Sequence, residues 1–389
     1  MKAGTKKQNI MLIVPMLHQG GFERVCVETA RLLEPYFQVC IVIFDSQDIA
    51  YDITGLEVID LQLGVQESIL GKLLHVWKRS LAVKKLKHSK EIDIAYSFGP
   101  TANMVNVFSG KRAKIWVGIR SYMDMGNPHK IRLFSRMADR VLCCSKRIEQ
   151  EIQENYRCTK ATALYNPLNM EALRKKAEAE SPDLPWKQPQ NLIVSMGRED
   201  DVKGFWHLLK SFYLVQKKVK DAKLMIIGEG EFKEYKVLAK KLGIEEEVFF
   251  AGLKKNPFPY LAAAKLYVLT SYYEGFPNAL IEAMALGVPA VATDCMTGPR
   301  EIFMEDYTAV HPKKEALWAD YGVLLPNMNP EKNLQAKEIT KEEEGLAEVM
   351  ERMLTDSQLW MKYQKAALKR AKDFSDTFYV ENIKKLAGE

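Results

Sequence analysis

An alternation of short apolar runs with longer helical patterns starts near residue 10 and starts again near residue 192, and it limits this chain to a small set of folds. In the first block the apolar runs are 10–14, 39–44, 92–97, 115–119 and 140–144. Strands that alternate with helices pair in parallel, because each crossover helix returns the chain to the same end of the sheet. From 169 to 188 the sequence turns polar, and SPDLPWKQPQ at 181–190 adds three prolines, so a linker is expected there. The second block reads as strands at 192–196, 223–228, 248–251, 266–270 and 289–292, with helices at 208–219, 232–242 and 279–286. The expectation is an α/β protein of two Rossmann-like domains. In such folds ligands bind outside the carboxyl ends of the strands.

A chain of 389 residues with 47% hydrophobic residues can bury two cores and gives no sign of disorder. Its longest apolar run, 10–17, is too short to span a bilayer and is broken by Pro15. A Gly-Gly turn follows it instead of a small-residue cleavage site, so it reads as a buried strand and not a signal peptide. The six cysteines lack metal-ligand spacing and are expected to be free thiols in a reducing compartment. The charge of +6 is uneven: residues 1–168 hold 24 basic and 16 acidic side chains, or +8. One half therefore suits an anionic partner. No aromatic residues interleave with the basic ones as in a nucleic-acid module, so a nucleic acid is not expected, and an anionic membrane surface fits at least as well.

Two turns face the expected ligand end. In 15–25, PMLHQGGFERV, Gly20 and Gly21 lie between the first strand and a helix, where backbone N–H groups can approach an anion. A plain strand–helix turn would look the same. In 195–205, SMGREDDVKGF, Arg198 and Lys203 follow the strand that opens the second block. They can grip a phosphate, or merely offset Glu199, Asp200 and Asp201 in a solvated loop. IIGEGEF at 226–232 is a further strand and glycine-rich turn.

TSYYEGFPNALIEAMALGVPAVATD at 270–294 places Glu274 and Glu282 eight residues apart, with Pro277 suited to a helix start and Gly287 to its end. If all eight steps were helical the separation would be about 12 Å. A hydrolytic carboxylate pair needs roughly 5–9.5 Å, so that role fits poorly. No His or Asp stands nearby at ligand spacing, so no metal site is expected. Two grips on one elongated, hydroxyl-rich ligand fit better, with backbone N–H groups at the helix start holding an anion between them. The alternative is a solvent-exposed Glu282.

Taken with GGFERV at 20–25, GREDDVKG at 197–204, FFAGLKKNPFPYLAAA at 249–264 and TDCMTGPREI at 293–302, these segments resemble the family-four glycosyltransferases of the GT-B fold. The likeness covers most of the chain. It implies two Rossmann-like domains facing across a central cleft. The expected division is 1–168, on which a C-terminal helix at about 376–389 packs back, and 169–375. The first would serve the acceptor and the second a nucleotide-diphosphate sugar, with a UDP-sugar as the expected donor.

The resemblance also implies roles. Arg198 and Lys203, in the turn opened by Gly197, would hold the donor diphosphate and stabilise the leaving group. Glu282 would bind the ribose hydroxyls. Glu274 and the backbone of Gly275, Phe276, Pro277, Asn278 and Ala279 would contact the transferred sugar and its phosphate. Gly252 and Leu253 would touch the base, and Gly20 and Gly21 would complete the diphosphate site. Transfer would retain anomeric configuration without cofactor or metal. Many relatives carry a histidine near the transferred sugar, where this chain reads YSFGPTANM at 96–104. His18, Arg120 and Ser121 are the acceptor-side candidates in its place.

TGPRE occurs in relatives that build bacterial surface glycans, so a glycan or polyprenyl-linked acceptor at the inner face of the cell membrane is expected. The stretch 69–90, ILGKLLHVWKRSLAVKKLKHSK, is a basic amphipathic helix with Leu73, Leu74, Trp77 and Leu81 on its apolar side. It can lie on an anionic membrane or pack in the ordinary way. Two other functions stay open: a GT-B sugar-nucleotide epimerase, and a non-catalytic donor-binding subunit.

Overall fold

A computed structural model of the protein describes residues 7–18, 20–66, 68–187, 189–309 and 315–388. Gln19 in the Gly-Gly turn and Gln188 in the proline-rich stretch lie outside the described residues. The chain divides into two compact units, 1–167 with 376–389, and 168–375.

The first unit holds a sheet of β1 (Asn9–Ile13), β2 (Gln38–Ile43), β3 (Glu57–Asp60), β4 (Ile94–Phe98), β5 (Lys114–Ile119), β6 (Arg140–Cys143) and β7 (Ala161–Ala163). Its order is β3-β2-β1-β4-β5-β6-β7, with parallel pairing throughout. Every residue of β1 and β4 is buried, as expected for strands covered on both faces. The C-terminal Asp376–Ala387 helix packs here through Tyr379, Val380 and Ile383. It is tied by a 2.8 Å hydrogen bond between the Tyr379 and Thr29 hydroxyls.

The second unit holds β8 (Asn191–Met196), β9 (Ala222–Ile227), β10 (Val248–Gly252), β11 (Leu266–Leu269), β12 (Ala290–Thr293), β13 (Leu317–Trp318) and β14 (Val323–Leu325). Their order is β10-β9-β8-β11-β12-β14-β13, with β13 alone antiparallel among the described strands. The six cysteines are buried and unbridged. No described helix is long and apolar enough to cross a membrane.

The expected linker is corrected by the structure. Met170–Glu178 is a helix, capped by the Asn169 side chain, which accepts from the Ala172 N–H at 2.7 Å. The proline-rich stretch is docked on its own unit. Trp186 donates to the Glu246 carbonyl at 2.9 Å and meets Phe249 edge-on at 6.2 Å. Polar composition here marks an exposed helix face, not a free tether.

Candidate functional site

The carboxyl ends of β8, β9 and β11 are held together by close backbone contacts. A Cβ on Gly228 would lie 1.8 Å from the Gly197 carbonyl oxygen, so only glycine lets β8 and β9 meet this closely. Gly204 has φ +60°, and a Cβ there would lie 2.6 Å from the Thr270 carbonyl. The turn between them is stitched to the end of β11: the Thr270 hydroxyl donates to the Lys203 carbonyl at 2.8 Å, and the Tyr272 N–H to the Val202 carbonyl at 2.9 Å.

The acidic residues of this turn each have a structural partner. Glu199 accepts from the Phe232 N–H at 2.7 Å. Asp200 caps the 201–203 turn through the Val202 N–H. Asp201 pairs with Lys332 at 2.8 Å. Lys203 is therefore left to another partner. Its aliphatic stem runs across Gly197, where an added Cβ would lie 3.0 Å from it, and its ammonium reaches Glu274 at 2.7 Å. Both groups are mostly shielded, with side chains 22% and 12% exposed, so this ion pair is not a loose surface contact. Arg198 differs: its side chain is 71% exposed and 3.5 Å from Asp200.

Beyond Glu274 the chain enters the Asn278–Ala285 helix. Pro277 stands at its N-cap and has no side-chain group to cap it with. The first-turn N–H groups of a helix lack intrahelical partners and favour an anion. Glu274 is fixed from behind by the buried Thr297 hydroxyl, which donates to its carbonyl. Gly298, at φ +95°, lets that loop pass Pro277, since a Cβ there would lie 2.4 Å from the proline ring. Phe276 is buried against Phe374 at 5.2 Å.

Glu282 is buried inside the helix, not exposed. Both carboxylates act on one neighbour. Tyr267 is fully buried, and burial, then Glu274, then Glu282 push its hydroxyl far above the ordinary tyrosine range. Burial also raises the Cys295 thiol well above the usual range; Glu274 adds to this and Lys203 opposes it. Lys203 thus pairs with Glu274, and Glu274 and Glu282 both act on Tyr267 of β11. Gly252 (φ +65°), with open space where a Cβ would stand, ends β10, and half-exposed Leu253 follows it.

The first-unit candidates behave differently. The Gly20 N–H donates to the Tyr51 hydroxyl at 2.8 Å, and that hydroxyl donates back to the Gly20 carbonyl at 2.6 Å. The Glu23 carboxylate fills the space beside Gly20, 2.2 Å from where a Cβ would stand. This corrects the expectation of an amide open to an anion at Gly20, while Gly21 begins the 21–33 helix. His18 approaches the Asp48 carbonyl through Nδ1 at 3.3 Å and braces the loop.

Arg120 is buried, with its guanidinium donating to the Tyr96 hydroxyl at 3.2 Å and to the Asn166 side chain. Ser121 caps the 122–126 turn and forms a capping box with Asp124. Arg120 is thus an internal brace and not an acceptor-facing group, while half-buried Ser121 serves as a turn cap. Sequence reading did not single out Thr297, Gly228 or Gly298. The TDCMTGPREI motif contained two of them, but only the fold reveals that they support Glu274 and Pro277.

Among the described residues no three His, Cys, Asp or Glu side chains gather as a metal site would need.

Two seven-stranded, mainly parallel sheets, with a basic turn and a helix start at the strand ends of the second, define a GT-B glycosyltransferase architecture. Residues 176–343 match the family described as glycosyl transferases group 1. It is 32% identical over 253 residues to an uncharacterized glycosyltransferase of Methanocaldococcus jannaschii, and that match spans 62% of each chain, under two thirds of the relative. It is 27% identical over 384 residues to a Campylobacter jejuni enzyme, covering 94% of this chain and 96% of that one. That enzyme is named as an N-acetylgalactosamine-N,N'-diacetylbacillosaminyl-diphospho-undecaprenol 4-alpha-N-acetylgalactosaminyltransferase. Among solved structures, Anabaena HepE in complex with UDP superposes with a TM-score of 0.74 at 18% identity, over 98% of this chain and all of that one. At that identity the likeness speaks for the fold.

Proposed function

We propose that the protein is a retaining glycosyltransferase. It moves a sugar, a hexosyl or N-acetylhexosaminyl group, from a UDP-sugar to a glycan or polyprenyl-linked acceptor in bacterial cell-envelope polysaccharide synthesis. The work is assigned to the cytoplasmic face of the membrane. The observation that carries this reading is the shielded Lys203–Glu274 pair beside the helix that begins at Asn278. The Campylobacter enzyme's printed acceptor, a diphospho-undecaprenol, supports the acceptor class.

In this reaction the bond between the anomeric carbon and the β-phosphate oxygen breaks, and its electron pair leaves with the diphosphate. The acceptor hydroxyl oxygen forms the new glycosidic bond on the same face, and its proton passes to the departing phosphate. Negative charge grows on the diphosphate, where Lys203, Arg198 and the helix N–H groups stabilise it. Glu274 orients the Lys203 ammonium and meets the transferred sugar. Glu282 holds the ribose hydroxyls. Gly252 and Leu253 border the base.

Calorimetric titration with UDP tests the division of labour. Glu282→Ala is expected to weaken UDP binding about 10–100-fold, the usual worth of a hydrogen bond to a charged group. Glu274→Ala is expected to keep UDP affinity within about threefold while transfer falls. Equal loss of affinity in the two variants would contradict the assignment.

A further inference from the structure

Two helices of the first unit end beside each other away from the strand ends where ligands of this fold bind. The Pro128–Met137 helix leads into the start of β6, and the Lys146–Tyr156 helix leads toward the start of β7. Their C-terminal ends therefore lie at the amino ends of the parallel strands, whereas such folds bind ligands at the carboxyl ends. Between these helix ends is a recess of about 240 Å³, lined by Arg132, Ser135, Arg136, Asn155, Tyr156 and Arg157.

The recess gathers positive charge that the protein does not offset. No carboxylate lines it. Arg132 and Arg136 stand one turn apart on one helix, a like-charge spacing that weakens it. All three arginines are exposed, and among the described residues none is in an ion pair or donates to a backbone carbonyl. The acids nearest in sequence are engaged elsewhere: Glu154 accepts from the Gln150 side chain at 2.8 Å, and Asp139 from the Ile115 N–H at 2.7 Å. Nor do the arginines cap the helix ends. Lys160 donates to the Ala138 carbonyl at 2.9 Å, and the Cys158 thiol approaches the Ser135 carbonyl at 3.9 Å.

Two further observations mark the recess. Ser135 Oγ is buried with no hydrogen-bond partner among the described residues. A buried hydroxyl in that state is costly unless a ligand accepts from it. Arg157 ends the Lys146–Tyr156 helix at φ +51° and ψ +38°, the left-handed conformation that helix ends ordinarily give to glycine or asparagine. The chain thus keeps a guanidinium where glycine would relax the backbone.

Chemistry identifies the occupant. Guanidinium forks match the oxygens of a phosphate group, and the serine and tyrosine hydroxyls and asparagine amide add neutral donors. The volume lies below the roughly 300–1,000 Å³ of ordinary small-molecule pockets, so it suits a phosphate group on a small body. No large apolar side chain between 128 and 160 is exposed, so nothing there would enter a bilayer.

We propose that this recess binds a soluble, phosphate-bearing small molecule at a site separate from the donor site. The assignment rests on the first unit alone.

The test is calorimetric titration with sodium pyrophosphate, at constant ionic strength, of the full chain carrying Arg198→Ala and Lys203→Ala, which removes the donor-side cations. One site per chain is expected, with a dissociation constant on the order of 0.1–1 mM. Adding Arg136→Gln should weaken it about 10–100-fold, the usual worth of a hydrogen bond between charged groups. Adding Arg157→Gly should weaken it as much while the melting temperature stays level or rises, because glycine relaxes the left-handed position. In the otherwise wild-type chain neither substitution should change nucleotide release from the donor. The proposal is overturned by no pyrophosphate binding in the chain lacking Arg198 and Lys203, or by binding that Arg136→Gln and Arg157→Gly leave unchanged. Equal heat from chloride at the same ionic strength overturns it too, as does binding to phosphatidylglycerol vesicles, lost in the same two variants, by a chain that takes no soluble phosphate.

Discussion

Lys203→Ala is expected to slow nucleotide release from the donor about 10²–10³-fold, the usual cost of removing one group that stabilises developing negative charge. Its ammonium is placed before any ligand arrives: the stem crosses Gly197 and Glu274 holds the tip at 2.7 Å. A cation so fixed needs little reorganisation when charge develops on the leaving phosphate. Arg198→Ala is expected to act in the same direction, although Arg198 is exposed and only loosely tied to Asp200. Stopped assays of nucleotide release, with circular dichroism to confirm folding, are the measurement. A Lys203→Ala rate within about threefold of wild type would remove this residue from the chemistry.

Glu343→Ala is expected to destabilise the second unit by about 3–5 kcal/mol, because it strands buried charge. Glu343 is wholly buried and contacts His207 Nδ1 at 2.6 Å, and Lys210, also buried, lies 3.8 Å away. The same carboxylate accepts from the Thr340 N–H at 2.8 Å and closes the capping box of the Lys341–Thr355 helix. His207 lies on the Phe205–Lys218 helix, which begins directly after Gly204, so this cluster also supports the basic turn. For a unit of this size the apparent melting temperature should fall on the order of 10 °C, at roughly 2–4 °C per kcal/mol. Glu343→Gln, which keeps the shape and an acceptor oxygen, should fall less. A melting temperature within about 2 °C of wild type for Glu343→Ala would show that the cluster relaxes without cost.

The fold was legible where strands are continuous apolar runs, as in β1, β2, β8 and β11, because covered parallel strands need no polar face. It was less legible at the margins. β3 and β7 are short and only partly buried, so neither carries a run long enough to read. The Met170–Glu178 helix buries only Leu173 within its span, and its polar surface looks like a tether.

The placement of Lys203 in a turn, Glu274 before a helix and Glu282 inside it was legible, because turn and helix signals fix them. Arg120 was misjudged for a physical reason: sequence places it at a strand end, but cannot say that Tyr96 and Asn166 draw its guanidinium inward. Gly20 was misjudged likewise, since its partner Tyr51 lies 31 residues away.

The Lys203–Glu274 site is expected to take a nucleotide-diphosphate sugar. The most direct measurement is slow nucleotide release by the purified full chain from a panel of UDP-, GDP- and TDP-sugars in excess EDTA. Release is expected from at least one UDP-sugar, undiminished by EDTA and largely abolished in Lys203→Ala. Release from none of the panel, or release that returns only when magnesium or manganese is added, would contradict it.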